Sequence, residues 1–183
     1  MATVEAAAHI LEQGGFDHYS TNAIAERAGV SIGSLYQYFP NKDAITRALI
    51  ARETRLLVEA VAAVPQAADW QDAMTNLIRA AVDHQLRRPR LARLIDIEES
   101  RLGGLASDFD TGAAPTELLR PAVARAPLGR DDHLEEIIGD ILIITRALTD
   151  AAGERPDIDR ENLERRIRRA IFGYVTFSPV MDA

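Results

Sequence analysis

Apolar residues recur at helical spacing along almost the whole chain, and no convincing alternating strand bounded by hairpin turns interrupts them. The first helix is expected over about Thr3 to Gln13, where Val4, Ala7, Ala8 and Leu11 form one stripe and Gly14-Gly15 supplies a stop. A second helix starts near Ser20-Thr21, both good N-caps, carries Ile24, Ala25 and Ala28, and stops at Gly29. Ser31 caps a third short helix holding Leu35 and Phe39, which Pro40 interrupts. Asn41 caps a long fourth helix whose inner face is marked by Ile45, Ala48, Leu49, Arg52 and Leu56, with Asp43 in the first turn where the helix dipole favours a carboxylate.

Beyond Pro65 the pattern describes a second unit. One helix spans about Asp69 to Arg87, another about Arg90 to Leu102, and a weaker one about Thr116 to Arg125 after a loop-like stretch from Gly103 to Pro115. Two strong helices follow, about Asp131 to Ala152 and Asp159 to Phe177. The pattern contains no internal repeat and no apolar run of the ~18 residues that a membrane span requires.

Composition narrows the picture. A chain of 183 residues with 47% hydrophobic content can bury a substantial core. The absence of cysteine excludes disulfide scaffolds, thiolate metal sites and cysteine catalysis. The start, MATVEAAAHILEQGG, lacks the basic and apolar regions of a signal peptide, so a cytoplasmic protein is expected. The net charge of −7 argues against a generic nucleic-acid coat, although a small DNA footprint is compatible with an acidic chain. Of 21 basic residues, Lys42 is the only lysine.

The segment TNAIAERAGVSIGSLYQYF, Thr21 to Phe39, reads as a helix, a glycine turn and a second short helix. Ala25 is small where two helices must cross closely, Gly29 sits where positive φ is needed, and Val30 and Leu35 are apolar where a shared core is expected. That is the layout of a helix-turn-helix, whose second helix enters the major groove. Spacing alone leaves open two short core helices of a bundle. Surface chemistry points to DNA: Ser34, Tyr36, Gln37 and Tyr38 gather on the second helix away from Leu35 and Phe39. Gln pairs with adenine edges, hydroxyls donate to phosphates, Gly33 permits close backbone approach and Ile32 can touch a thymine methyl. A Tyr38 that fills the small core is the plainer alternative.

The stretch IAERAGVSIGSLYQYFPNKDAI, Ile24 to Ile45, resembles the N-terminal DNA-binding domain of the TetR (tetracycline repressor) family of transcriptional regulators, with the resemblance covering about Ala6 to Leu49. It implies that Thr21 contacts phosphate with Asn22 nearby, that Ile32, Gly33, Ser34 and Gln37 face the groove, that Tyr36 and Tyr38 contact the DNA backbone, and that Lys42 meets a phosphate. A surface lysine without a role is the alternative for Lys42. A basic residue is common in the family where Ile32 stands, and many members carry a basic arm where only Met1 to Thr3 precede the first helix here, leaving open an absent arm or a shortened chain. From Met1 to Ile50, Arg27, Lys42 and Arg47 face five acidic residues, so weak non-specific DNA affinity is expected.

The resemblance implies an all-α fold: a three-helix helix-turn-helix DNA-binding domain over residues 1–46, then a helical effector-binding and dimerisation domain over 47–183. In the last two helices, Ile137, Ile141, Ile144, Leu148, Ile167, Ile171 and Tyr174 are expected to form a two-fold dimer interface, against the alternative of a monomer with a thick core. Trp70, His84, Glu98 and Phe109 are candidates for an effector pocket. Each has a structural reading too: Trp70 and Phe109 can fill the core, His84 can be a satisfied core histidine, and Glu98, central on an apolar helix face, can pair with Arg101.

Catalysis has little support. The four His, at positions 9, 18, 84 and 133, show no metal-ligand spacing, and neither a G-x-S-x-G motif nor a P-loop occurs. Glu98 and Glu99 diverge by about 100° on a helix and cannot share a substrate. The expected function is therefore a ligand-responsive transcriptional regulator, most simply a repressor released from a palindromic operator by a small molecule, with no metal and no cofactor. Its partners would be double-stranded operator DNA, an effector of unknown identity and a second copy of itself, with no membrane. The alternative is an all-helical protein-interaction module without a DNA role.

Overall fold

The computed structural model describes residues 2–65, 67–103, 115–128, 133–153, 157 and 159–177. Among them it forms nine helices and no strand: α1 (Ala2–His18), α2 (Thr21–Ala28), α3 (Ile32–Tyr38), α4 (Lys42–Ala62), α5 (Trp70–Arg87), α6 (Pro89–Arg101), α7 (Pro115–Val123), α8 (Leu134–Gly153) and α9 (Arg160–Thr176). Every helix expected from the pattern is present. The first runs further than expected, because the chain resumes helical geometry after Gly15, which adopts φ 65° and ψ −161°.

The helices sort into two compact units. The first contains α1, α2, α3, α4 as far as Arg55, and α6. The second contains α4 from Leu56 onward, α5, α7, α8 and α9. The resemblance implies a second domain from residue 47; in the structure α4 stays with the first unit as far as Arg55, and α6 belongs to that unit.

The core of the first unit is built from small and branched residues. Ala7, Ala8 and Leu11 of α1, Ile24 and Ala25 of α2, Leu35 of α3, and Ile45, Leu49 and Ile50 of α4 are buried together with Leu91 and Ile95 of α6. Alanines on α1 and α2 let the two backbones approach closely. Helices of eight and seven residues are marginal in water, so α2 and α3 owe their existence to this packing and to their caps. Val30, expected in the core, lies at the surface, and its N–H closes the turn onto the Ala25 carbonyl at 3.0 Å.

Ion pairs bind α6 to the first unit. Arg88, just before α6, donates to Glu12 at 2.6 Å and to Glu5 at 3.3 Å, and Arg52 donates to Glu5 at 2.6 Å. At the other end, Arg101 donates to Glu98 at 2.7 Å and to Asp43 at 2.5 Å, and Arg47 reaches the Leu102 carbonyl at 3.3 Å. Glu98 is buried, and its Arg101 partner is the structural pairing that its position on an apolar face demands.

In the second unit, Met74, Ile78 and Val82 of α5 pack with Ile137, Ile138 and Ile141 of α8 and with Leu163, Ile167 and Ile171 of α9. Trp70 closes the cluster, its ring edge-on to Phe172 at 5.3 Å. This packing revises the expected dimer face. Ile137, Ile141, Ile167 and Ile171 are sealed in the chain's own core, Ile144 and Leu148 are half-buried against it, and Tyr174 is the one member of the set that is exposed. The outer surfaces of α8 and α9 present Ile143, at 66% exposure, and Tyr174, with Phe177 exposed just past the end of α9.

Candidate nucleic-acid interface

Two side-chain caps and one glycine set the geometry of the α2–turn–α3 segment. Ser20 accepts from the Ala23 N–H at 3.2 Å and starts α2. Gly29 ends it at φ 68°, a left-handed conformation that a Cβ disfavours, with its N–H bonded to the Glu26 carbonyl at 3.1 Å. Ser31 then accepts from the Ser34 N–H at 3.0 Å and starts α3. Asn41 does the same for α4 through the Ala44 N–H at 2.8 Å.

The result is a short helix with one residue inside and the others outside. Leu35 is 2% exposed, whereas Ile32, Gly33, Ser34, Tyr36, Gln37 and Tyr38 all face solvent. Tyr36 is 47% exposed and Tyr38 80%, so neither fills the core. The Tyr36 and Thr21 hydroxyls lie 3.2 Å apart, which joins the start of α2 to the middle of α3. Asn22 is exposed beside Thr21, and Lys42 is exposed at the start of α4. All nine sequence-nominated DNA-contact residues therefore belong to this one unit, with hydroxyl, amide and ammonium groups at its surface.

Gly33 has no role in the unit's own packing. A Cβ built there meets nothing closer than the Ser31 hydroxyl at 3.8 Å. The fold does not demand a bare backbone at this position, although glycine costs helix stability.

The charge count over residues 1–50 is incomplete. Three of its carboxylates, Glu5, Glu12 and Asp43, are held by arginines from later in the chain: Arg52, Arg88 and Arg101. The Arg101 hydrogen bond keeps the Asp43 carboxyl below its ordinary range. Tyr19 and Thr46 belong to no sequence motif, yet both touch Lys42. Both are buried beneath Lys42, and a single aromatic just ahead of the Ser20 cap was the available signal.

The effector-pocket candidates fall in two units and outside the described residues. Glu98 lies in the first unit, paired as described. Trp70 is packed on Phe172 and His84 is half-buried on α5, both in the second unit. Phe109 lies outside the described residues. The second unit does contain a cavity of about 60 Å³, bounded by Leu57, Val58 and Val61 of α4, Met74, Leu77, Ile78 and Ala81 of α5, Leu118 and Leu119 of α7, and Ile141 and Thr145 of α8. Its one hydroxyl, on Thr145, donates to the Ile141 carbonyl at 2.8 Å, so the described wall is apolar. No cluster of three or more His, Asp or Glu suited to a metal occurs among the described residues. Nor is any described helix long and apolar enough to cross a membrane.

Comparison with known proteins matches both units. Residues 4–49 fit the family described as bacterial regulatory proteins, tetR family, and residues 69–174 fit the tetracyclin repressor-like C-terminal domain. The transcriptional repressor KstR of Rhodococcus jostii is 38% identical over 50 residues, covering 27% of this chain and 24% of that protein. The nucleoid occlusion factor SlmA of Haemophilus influenzae is 27% identical over 108 residues, covering 55% and 50%. The matched region thus spans a quarter to a half of these curated relatives. Solved structures extend the likeness over the whole fold. A TetR-family regulator from Streptomyces coelicolor superposes with a TM-score of 0.67 at 26% identity, over 95% of this chain and 97% of that one. The fatty acid degradation regulator FadR of Bacillus halodurans gives 0.70 at 16% identity, over 94% and 97%.

Proposed function

The chain belongs to the tetR family of bacterial regulatory proteins, and from that premise we propose that it is a DNA-binding transcriptional repressor released from its operator by a small apolar molecule. The observation that carries this reading is the outward face of α3: one buried leucine, and hydroxyl, amide and bare-backbone positions on the rest. A seven-residue helix gains little by exposing two tyrosines, an isoleucine and a glycine to water; a major groove gives each of them a partner. In this reading Thr21, Tyr36, Tyr38 and Lys42 grip phosphates on either side, with Asn22 close by. Ile32, Gly33, Ser34 and Gln37 meet base edges.

Operators read by such a unit are two-fold, and the protein would act as a homodimer through the outer faces of α8 and α9, where Ile143 and Tyr174 lie exposed, with Phe177 just past the end of α9. The apolar cavity of the second unit is the candidate effector site. α4 supports a link between the two: Ile45, Leu49 and Ile50 belong to the core of the first unit, and Leu57, Val58 and Val61 to the cavity wall. An effector releases DNA only by the difference in its affinity for the two conformations. The protein works where the chromosome is, in the cytoplasm, and needs no catalysis.

The test separates roles by sequence dependence. Lys42→Ala and Tyr36→Phe should weaken binding to every duplex. Gln37→Ala should relax preference at one base pair by about 1–3 kcal/mol. Equal effects of all three on every sequence would overturn the assignment.

A further inference from the structure

Tyr19 does not face the surface that meets DNA; it is 3% exposed in the core of the first unit. Two contacts direct it at Lys42. The Lys42 ammonium sits over the Tyr19 ring, 5.7 Å from its centroid. The Tyr19 hydroxyl lies 3.1 Å from the Thr46 hydroxyl, which donates to the Lys42 carbonyl at 3.1 Å. Because the Thr46 hydrogen is committed to that carbonyl, Tyr19 is the donor of the pair. A directed chain therefore runs from the Tyr19 O–H through Thr46 to the Lys42 carbonyl, while the ring face carries the same residue's ammonium. Burial raises the phenol's pKa, so the donor keeps its proton at neutral pH. The adjacent Asp43 carboxylate is occupied by Arg101 at 2.5 Å.

We infer that Tyr19 is a positioning residue for DNA binding, a buried platform that holds the Lys42 ammonium at the start of α4. A lysine side chain carries several rotatable bonds, and holding it in place before binding lowers the ordering cost of a phosphate contact. The inference rests on the reading of Lys42 as a phosphate contact, and the test distinguishes the two.

Lys42 is the only lysine of the 183 residues, so selective isotope labelling of lysine gives a single ε-CH₂ signal in this chain. The ring current of Tyr19 should move that signal upfield, and Tyr19→Leu should abolish the displacement while Tyr19→Phe keeps it. Fluorescence anisotropy with a labelled duplex of mixed sequence supplies the second readout. Lys42→Ala should weaken binding and lower the salt slope by about one. Tyr19→Leu should weaken binding about two- to fivefold in the wild-type background, and by clearly less in the Lys42→Ala background. A full, additive loss in that background overturns the platform and leaves the phosphate contact standing. No effect of Lys42→Ala overturns both. Should Tyr19→Leu fail to fold, Tyr19→Phe decides: loss of the displaced lysine signal in that variant, or a binding loss beyond twofold, overturns the inference.

Discussion

Gly33→Ala should make the protein more stable and a poorer DNA binder. The added methyl stands on the exposed side of α3, and the nearest atom to it is the Ser31 hydroxyl oxygen at 3.8 Å, ordinary van der Waals contact. No core atom has to move. The gain is the glycine-to-alanine difference in helix propensity, up to about 1 kcal/mol in a helix interior and about half of that this close to the α3 N-terminus. On DNA the same methyl stands where the backbone would approach the base edges, so the expected loss is about tenfold or more in affinity, the scale of one spoiled base contact. Chemical denaturation followed by circular dichroism measures the first quantity and duplex anisotropy the second. Destabilisation by the substitution would refute the statement that α3 is unconstrained at this position. Unchanged affinity for a bound duplex would refute the placement of Gly33 in the groove.

Three further substitutions test separate parts of the account. Gly29→Ala forces a Cβ into φ 68° with no steric neighbour, so the cost is conformational, about 1–2 kcal/mol, read as a lowered denaturation midpoint. Arg101→Met removes the partner of buried Glu98 and of Asp43; because the arginine is half-exposed, the expected cost is about 1–2 kcal/mol, and adding Glu98→Gln should recover part of it. The Asp43 carboxyl is depressed in the folded protein, so its contribution is present above the unfolded carboxylate pKa near 3.9 and lost as pH falls below it; Arg101→Met should flatten that acid limb of the stability profile. Ala81→Leu fills part of the apolar cavity, and it should abolish release of DNA by an effector while leaving duplex affinity unchanged.

The local parts of the fold were legible because local chemistry dictates them. Ser20, Ser31 and Asn41 cap helices in both pattern and structure, Gly29 takes the left-handed turn, and Leu35 points inward while Tyr36 and Gln37 point outward. Periodicity reports that a helix has an apolar face and is silent on what meets that face. For this reason Ile137, Ile141, Ile167 and Ile171 read as a surface for a second copy, whereas they seal the chain's own core. Long-range ion pairs leave no periodic trace: Arg88 and Glu12 are 76 residues apart, and nothing in either neighbourhood announces that α6 joins the first unit. The cavity was invisible for a related reason, since Leu57, Val61 and Met74 look like any core residues until neighbouring helices fail to fill the space between them.

The central claim is that the outer face of α3 reads DNA. An electrophoretic shift titration of the wild-type protein and of a Tyr36→Ala/Gln37→Ala variant against the DNA flanking the gene, with mixed-sequence competitor, tests it most directly. The account predicts a discrete, competitor-resistant complex for the wild type and its loss in a variant that keeps the wild-type helical circular dichroism, because Leu35, the one buried residue of α3, is untouched. Equal retardation by both proteins would contradict it.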